Sequence, residues 1–412
     1  MRDQTIPHFV GLDVGTHKVR VIIGVLDSAE SVIPTIVGYG SALNSGMRKG
    51  TVVHIDDVAQ AINEALTEAE RMAGVQVQSA TVNVNGNHVQ GMNSKGVIAI
   101  SSASREISED DRARVEEAAT IIQIPANREI IQVFAKNYRL DGQDNIKDPV
   151  GMQGIRLEVD THIVTASSPV VRNLEQALER ARIGIGHRTV SSLAAAEVVL
   201  NRKQRESGTA VVDIGAGTTN IVIMEEGEVQ LVSVLPVGGT HLTNDLAIGL
   251  KTDLDIAEHI KLTHGSLSHE GRTSEMIKVS FNDQYHTFRR SEIDMIIESR
   301  LEELFELVDK EFKRISRSRK LPGGVVFVGG TAKIPGLDEF AKKHLELPAR
   351  IGKFNEQRGM IDDLDQQEFA TAAGLMLLDM LLGGQTHHGQ GSNLSDTATK
   401  LFKSFKFLGR KK

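Results

Sequence analysis

Two periods of apolar and polar positions organise this chain. The first is a run, a polar tip and a second run, as in a hairpin of strands. Residues 211–224, VVDIGAGTTNIVIM, place Val211, Val212 and Ile214 before a glycine-rich tip and an apolar run, 221–224, after it. The same order of residue types occurs about 200 residues earlier. Residues 9–19 read FVGLDVGTHKV, and Arg20 and the apolar 21–23 follow. A self-similar pair at that separation predicts two related half-molecules closing on one ligand. The second period is helical. Residues 55–73 place Val58, Ile62, Ala65, Leu66 and Ala69 on one face, with Asp56 as the expected N-cap and Gly74 as the stop. With a third strand at 31–41 and a fourth at 79–84, the first portion reads as an α/β layer.

The pattern then breaks at Gly86, Asn87 and Gly91. A more polar segment, 85–160, reads as a small inserted subdomain. It holds a capped helix starting near Ser108, a strand at 129–138 and a loop at 141–154. Beyond it come a strand (161–166), an amphipathic helix (170–182), a Gly184/Gly186 break and a small-residue helix (190–200) suited to a hinge. After the second hairpin, Gly238-Gly239-Thr240 opens a helix to about 250. Another helix spans 255–264, a polar strand 281–290, and a long charged helix 292–315. A buried strand at 325–328 ends in Gly329-Gly330, and a segment at 368–382 closes the folded part.

Composition narrows the setting. Among 412 residues there is no Cys, which excludes disulfides and thiolate metal sites and fits a reducing compartment. Aromatics are only 4%, so the cores must be built from Val, Ile, Leu and Ala. The start carries no signal-like stretch, and the apolar run 371–382 is short and contains Asp379, so a cytoplasmic protein is expected. The net charge of −7 argues against a nucleic-acid partner. That charge is uneven, because 396–412 carries six Lys/Arg against Asp396.

The hairpin tips carry the candidate chemistry. Gly215 and Gly217 leave backbone N–H groups open to a phosphate, and Thr218 and Thr219 add hydroxyl donors. Asp213 repels phosphate directly and makes sense holding a hydrated Mg²⁺. Asp13, Gly15 and Thr16 repeat the arrangement. Neither the Walker pattern nor a convincing G-x-G-x-x-G start is present. Gly329-Gly330 lets a flat ring or sugar lie against the backbone, although a tight strand-to-helix turn accounts for it equally well. Glu258 and Lys261 stand i, i+3, which on spacing alone is a surface ion pair.

The end of the chain is distinct. Residues 383–393, GGQTHHGQGSN, read as a flexible linker whose His387 and His388 are expected to be idle. In 395–412, at roughly 100° per residue, Leu401, Phe402, Phe405 and Leu408 share one sector, and Lys400, Lys403, Lys406 and Arg410 lie opposite. Only Phe407 departs from that division. Such a helix suits an anionic membrane surface; docking on the body or on a partner is the alternative.

Together the two hairpins, the small-residue helix, the Gly-Gly turn and Ala-Glu-x-Ile-Lys at 257–261 resemble the actin superfamily of ATPases, shared with hexokinase and heat-shock chaperones. Within it the chain resembles the FtsA family of bacterial cell-division proteins over essentially its full length. Residues 11–19 and 212–223 are similar to that family's phosphate motifs, 326–337 (VFVGGTAKIPGL) to its adenosine motif, and 257–261 to the helix flanking base and ribose. Residues 148–166 resemble the end of the FtsA insertion, which lies in the first half, unlike the small subdomain of MreB. The tail resembles the family's membrane-targeting helix.

The resemblance implies an actin-like (ribonuclease H-like) two-lobed α/β ATPase fold with an inserted α+β subdomain and a C-terminal amphipathic helix. Lobe I would comprise 1–84, 161–195 and 375–382, and the insertion 85–160. Lobe II would comprise 196–244 and 316–374, with a subdomain at 245–315, a linker at 383–394 and the tail at 395–412. It implies ATP held by Gly15, Thr16, His17, Lys18, Gly215, Gly217, Thr218, Thr219, Gly238, Gly239, Glu258, Lys261, Gly329 and Gly330. Mg²⁺ would sit near Asp13 and Asp213 through water. The implied protein forms filaments and tethers FtsZ to anionic lipids on the cytoplasmic face of the inner membrane at the division site. The C-terminal peptide of FtsZ would dock on 245–315, where Ile297-Glu298-Ser299-Arg300 is similar to the family's site, with Arg289 and Arg300 pairing to its acids. Later division proteins would meet the insertion.

One departure bears on turnover. Chaperone and MreB relatives place a glutamate ahead of Ala-Ala-Ala on the hinge helix, whereas Ser191 stands here, and a serine is a poor general base. Slow hydrolysis is therefore expected. A small-molecule kinase on the same fold would need an acceptor pocket with a catalytic carboxylate, for which no motif is found. A pilus-assembly ATPase would keep the fold with another partner.

Overall fold

The computed structural model describes residues 7–28, 31, 33–268, 275–282, 284–355, 358–359 and 363–383. Two sheets share one plan. In the first, the order is Gly184–Val190, Ser79–Val84, His8–Val14, Lys18–Val25, Thr35–Leu43, Arg358–Gly359. In the second it is Ala349–Ile351, Gly324–Val328, Thr209–Ile214, Thr219–Glu225, Glu228–Leu235. Each is an antiparallel three-strand meander whose first strand also accepts a parallel strand on its other side. The parallel strands are covered on both faces and so read as unbroken apolar runs. All of Thr209–Ile214 and Gly324–Val328 is buried.

Two helices join the halves. Ser191–Val199 directly follows Gly184–Val190 of the first sheet and packs on Thr209–Ile214 and Thr219–Glu225 of the second. Gln366–Gly383 follows the second half and packs across His8–Val14 of the first. Gly11 permits that approach, since a Cβ there would lie 2.0 Å from the Ala372 carbonyl oxygen. Gln366–Gly383 is one unbroken helix, so position 374/375 falls in its middle.

Between the halves of the first lobe lies a separate antiparallel sheet, ordered Gln90–Ala99, Arg156–Ser167, Arg128–Leu140, Gln143–Ile146. Helix Glu109–Thr120 covers it, starting at Ser108 in a reciprocal cap with Asp111. Ile107, Val115, Tyr138, Leu157 and Val159 form its own core.

Several expectations are corrected. The polar stretch after Gly86 holds a ten-residue strand, Gln90–Ala99, whose side chains are mostly exposed and so lack apolar alternation. The loop at 141–154 turns at Asp141-Gly142, both at positive φ, into the strand Gln143–Ile146. The Gly184/Gly186 break is an edge strand parallel to Ser79–Val84. The segment at 281–290 is the second half of a hairpin with Met276–Phe281. His54, not Asp56, is the N-cap of Ile55–Ala73; Asp56 pairs with Arg180 instead. Gly74 ends that helix at φ 68°. Strand Glu228–Leu235 and helix Leu337–Leu345 are elements that the sequence pattern does not announce. Among the described residues no helix is long and apolar enough to cross a membrane. The tail at 395–412 lies outside the described residues.

Candidate functional site

Both hairpins turn in the same register. Asp13 faces Arg20 and Asp213 faces Asn220 across their respective ladders. Two residues on, the Gly15 N–H donates to the Lys18 carbonyl at 3.1 Å, and the Gly215 N–H to the Thr218 carbonyl at 2.9 Å. The tips meet: a Cβ on Gly217 would lie 3.0 Å from Thr16 Oγ1 and from Lys49 Cα. The hydroxyls expected as phosphate donors already have protein partners. Thr218 donates to Asn85 Oδ1 at 3.3 Å, Thr219 to the Val237 carbonyl at 2.8 Å, and Thr16 Oγ1 accepts from the Gly50 N–H at 3.0 Å.

Asp13 and Asp213 are both buried. Burial pushes the Asp13 carboxyl up to about 7, aided by the like charge of Asp213 and opposed by Arg20. Burial likewise pushes Asp213 up to about 6 against the pull of Arg20. Asn83 Nδ2 donates to Asp13 Oδ1 at 2.6 Å, and the Thr371 hydroxyl to Asp213 Oδ2 at 3.4 Å. Two acids in one field resist joint ionisation unless a cation joins them. This donor set, hard oxygens on two carboxylates, fits a hydrated Mg²⁺.

A third group closes on the second tip. The Gly239 N–H donates to the Gly215 carbonyl at 2.9 Å and the Thr240 N–H to the Ala216 carbonyl at 2.8 Å. Only a residue without a Cβ fits at Gly238, where one would lie 2.5 Å from the Gly215 oxygen. On helix Leu254–His264, Lys261 Nζ donates to Glu258 Oε2 at 2.6 Å, Thr243 Oγ1 at 2.9 Å and the Gly239 carbonyl at 3.3 Å. The pair is thus tied to the Gly-Gly turn rather than left on the surface. His17, at the first tip, is held below the usual imidazole range by desolvation, against the field of Glu258.

Gly329 and Gly330 border the carboxylates. A Cβ on Gly329 would lie 2.5 Å from Asp213 Oδ1, and its N–H donates to the Gln367 carbonyl at 2.9 Å. A Cβ on Gly330 would stand 4.0 Å from Glu368 Oε1. Lys18 pairs with Glu368 Oε2 at 3.5 Å. The expected nucleotide residues fall in five stretches, 15–18, 215–219, 238–239, 258–261 and 329–330: the two hairpin tips touch, 238–239 bonds to the second tip, Lys261 bonds to 238–239, and Gly329 borders Asp213.

Sequence reasoning passed over the residues that brace these stretches. Asn83 accepts from the Val14 N–H at 2.8 Å and donates to Ser191 Oγ at 3.1 Å as well as to Asp13. Asn44 donates to the Gly15 carbonyl at 2.8 Å through Nδ2 and to the His17 carbonyl at 2.8 Å through its N–H. A signal for Asn83 was available, since an amide inside the apolar run SATVNV needs a buried partner. Arg20 and Glu368 carried no local signal at all.

The remaining expected residues lie elsewhere. Arg300, on helix Arg290–Arg314, is bound by Asp245 (Nη2 to Oδ1, 3.0 Å) and by Glu303 at 2.6 Å. Arg289 is exposed at the end of strand Gln284–Arg289. Leu401, Phe402, Lys403, Phe405, Lys406 and Leu408 lie outside the described residues.

Comparison with known proteins agrees with this architecture. A family model described as "Cell division protein FtsA" matches residues 210–374, and one described as "SHS2 domain inserted in FTSA" matches residues 86–165. The cell division protein FtsA of Pseudomonas aeruginosa PAO1 is 34% identical over 396 residues, covering 95% of this chain and 94% of that protein. Among solved structures, a PilM–PilN type IV pilus biogenesis complex aligns with a TM-score of 0.62 at 19% identity, over 90% of this chain and 98% of that one. MreB5 of Spiroplasma citri bound to ADP aligns at 0.54 and 13% identity, over 93% and 99%. Its complex with AMPPNP aligns at 0.53 and 13%, over 92% and 97%. At such identities these three structural likenesses show the actin-like two-lobed fold.

Proposed function

From the premise that this chain belongs to the FtsA family of cell division proteins, we propose that it is an ATP-gated membrane tether. It binds ATP and Mg²⁺ between its lobes, forms filaments on the cytoplasmic face of the inner membrane, and holds FtsZ there at the division site. The observation that carries the reading is the equal register of Asp13 and Asp213 on twin hairpins whose tips touch. The nucleotides bound by MreB5 on the same fold support it.

In this reading Gly15, Gly215 and Gly217 let the phosphates approach the main chain. Lys18 supplies charge, and Glu258 and Lys261 flank the ribose and base. Bound Mg²⁺ supplies the positive charge that lets two buried carboxylates ionise together. Asp13 is aimed by Asn83, Asp213 by Thr371. Ser191 offers a hydroxyl already paired with Asn83 in place of a base, so hydrolysis is slow and nucleotide chiefly sets the closure of the lobes.

The partner surfaces follow the family. The acidic C-terminal peptide of FtsZ docks on 245–315, where Arg289 is exposed and Arg300 exchanges Asp245 and Glu303 for the peptide's carboxylates. Residues 395–412 rest on anionic lipid, and later division proteins meet the inserted subdomain. The pilus-assembly and kinase alternatives share the fold, and the pilus likeness, at 19% identity, extends no further than that.

One reconstitution tests the whole. Anionic vesicles, FtsZ, ATP and Mg²⁺ are sedimented with the full chain or with the chain lacking 395–412. FtsZ should follow the vesicles only with the full chain. Equal FtsZ in both pellets, or none in either, removes the tether reading.

A further inference from the structure

Arg20 stands at the heart of the cleft, and neither the family motifs nor the proposed mechanism gives it a task. Side chains of a strand alternate between faces, so Lys18 and Arg20 leave Lys18–Val25 on one side. Arg20 lies directly across the ladder from Asp13. It nevertheless reaches past Asp13, whose Oδ2 is 4.0 Å away, to Glu368 Oε2 at 2.5 Å. Its Nη1 lies 3.9 Å from where a Cβ of Gly15 would be, which puts the guanidinium beside the first phosphate turn. Among the described residues its Nε is buried without a hydrogen-bond partner, so Glu368 does not use all five of the guanidinium's donors.

Glu368 is the counterpart. It sits in the first turn of Gln366–Gly383 and gathers Arg20, Lys18 at 3.5 Å, and Lys333 at 3.1 Å. Lys18 and Arg20 come from the first lobe; Lys333 comes from the Gly330–Lys333 turn of the second. These cations hold the Glu368 carboxyl at about 2 although burial opposes its charge. A fully charged carboxylate thus occupies the cationic side of the cleft. To a guanidinium or ammonium, a carboxylate and a phosphate offer the same kind of acceptor.

We propose that Glu368 is an internal stand-in for a nucleotide phosphate, and that Arg20 and Lys18 are the residues that read phosphate number once it yields. This rests on the nucleotide reading above and deepens it. An arriving phosphate competes with Glu368 for two cations, so nucleosides feel no competition and triphosphates feel the most. Because Glu368 also heads the helix that crosses between the lobes, its release is transmitted to that helix.

The test is calorimetric titration of adenosine, ADP and ATP, with and without Mg²⁺, into the full chain and into Glu368→Gln, Glu368→Asp and the double variant Arg20→Met/Glu368→Gln. Glu368→Gln should bind ATP about tenfold more tightly, with 1.4 kcal/mol per decade, and ADP less so, with adenosine unchanged. Glu368→Asp should behave as the parent, and Arg20→Met should cancel the gain. Unchanged or weaker ATP binding by Glu368→Gln overturns the proposal, as does an equal shift for adenosine, which marks a merely structural effect. If the parent binds ATP and Glu368→Gln shows no gain, only this proposal fails. If neither binds any adenine compound, the nucleotide reading fails with it.

Discussion

A Cβ placed on Gly374 would fall 1.7 Å from the carbonyl oxygen of Ala194. The two helices that exchange lobes therefore cross backbone against backbone, with Ala194, Leu375, Leu378 and Leu382 packed around the crossing. A single methyl group cannot be accommodated there unless the helices part. Gly374→Ala should destabilise the chain by about 1–3 kcal/mol, the range for overpacking a filled interior. Urea unfolding reads it, and an unshifted midpoint would mean that the helices do not touch at this residue.

The same hinge helix carries a buried charge that, among the described residues, one arginine neutralises. Glu197 is 1% exposed through its side chain and is held by Arg205 at 3.0 Å through both oxygens. Burial pushes the Glu197 carboxyl up and Arg205 pulls it down. Arg205→Ala strands that charge and should cost about 3–5 kcal/mol, whereas replacing both partners with Met should cost less. Equal losses for the single and double variants in denaturant melts would contradict this account.

The inserted subdomain leans on the second lobe through an imidazole. His162 Nδ1 donates to Asn93 Oδ1 at 2.8 Å, which leaves Nε2 to accept the Val232 N–H at 3.0 Å. Burial lowers its pKa to about 3, with Lys136 and Arg314 adding to the effect. The folded group stays neutral while the unfolded one protonates below the usual imidazole value of 6.5. Between those limits the unfolded chain binds more protons, so stability is present above pH 6.5 and is lost as the pH falls. The slope reaches about 1.4 kcal/mol per pH unit for one such group. Between about pH 7.5 and 5 the raised Asp13 and Asp213 act in the opposite sense, so the measurement is a difference: on acidification His162→Gln should lose less stability than the parent in melting curves. A profile indifferent to this substitution refutes the coupling.

Lys261 is tied to the Gly-Gly turn through the Gly239 carbonyl and to Glu258. If this pair flanks base and ribose, Lys261→Met should weaken adenosine and ATP alike, by about tenfold each, with 1.4 kcal/mol per decade. Equilibrium titration separates this from a phosphate effect, which would spare adenosine. Selective loss of ATP alone would move Lys261 to the phosphate side.

Local spacing and residue type disclosed much of this molecule. The repeated run, Asp, glycine tip and second run announced two like halves, because a hairpin with an obligatory tight turn writes itself in consecutive residues. The helix ending at Gly74 and the cap at Ser108 were equally legible, since both depend on neighbours within a few positions. Gln90–Ala99 was hidden because an edge strand with both faces partly wet shows no apolar alternation. The Gly184–Val190 strand was hidden because its glycines read as a stop.

What the chain alone could not express were relationships between residues hundreds of positions apart. Arg20 meets Glu368 across 348 positions, and Thr371 meets Asp213 across 158. Neither side chain has a periodic or local mark, for a long-range ion pair is a property of where two lobes come to rest. Sequence by itself therefore determined the paired glycine-rich turns, the acids beside them and the family to which they point. Packing of the two crossing helices decided which side chains face those acids, because only burial and proximity set the field in which a carboxylate holds or releases its proton.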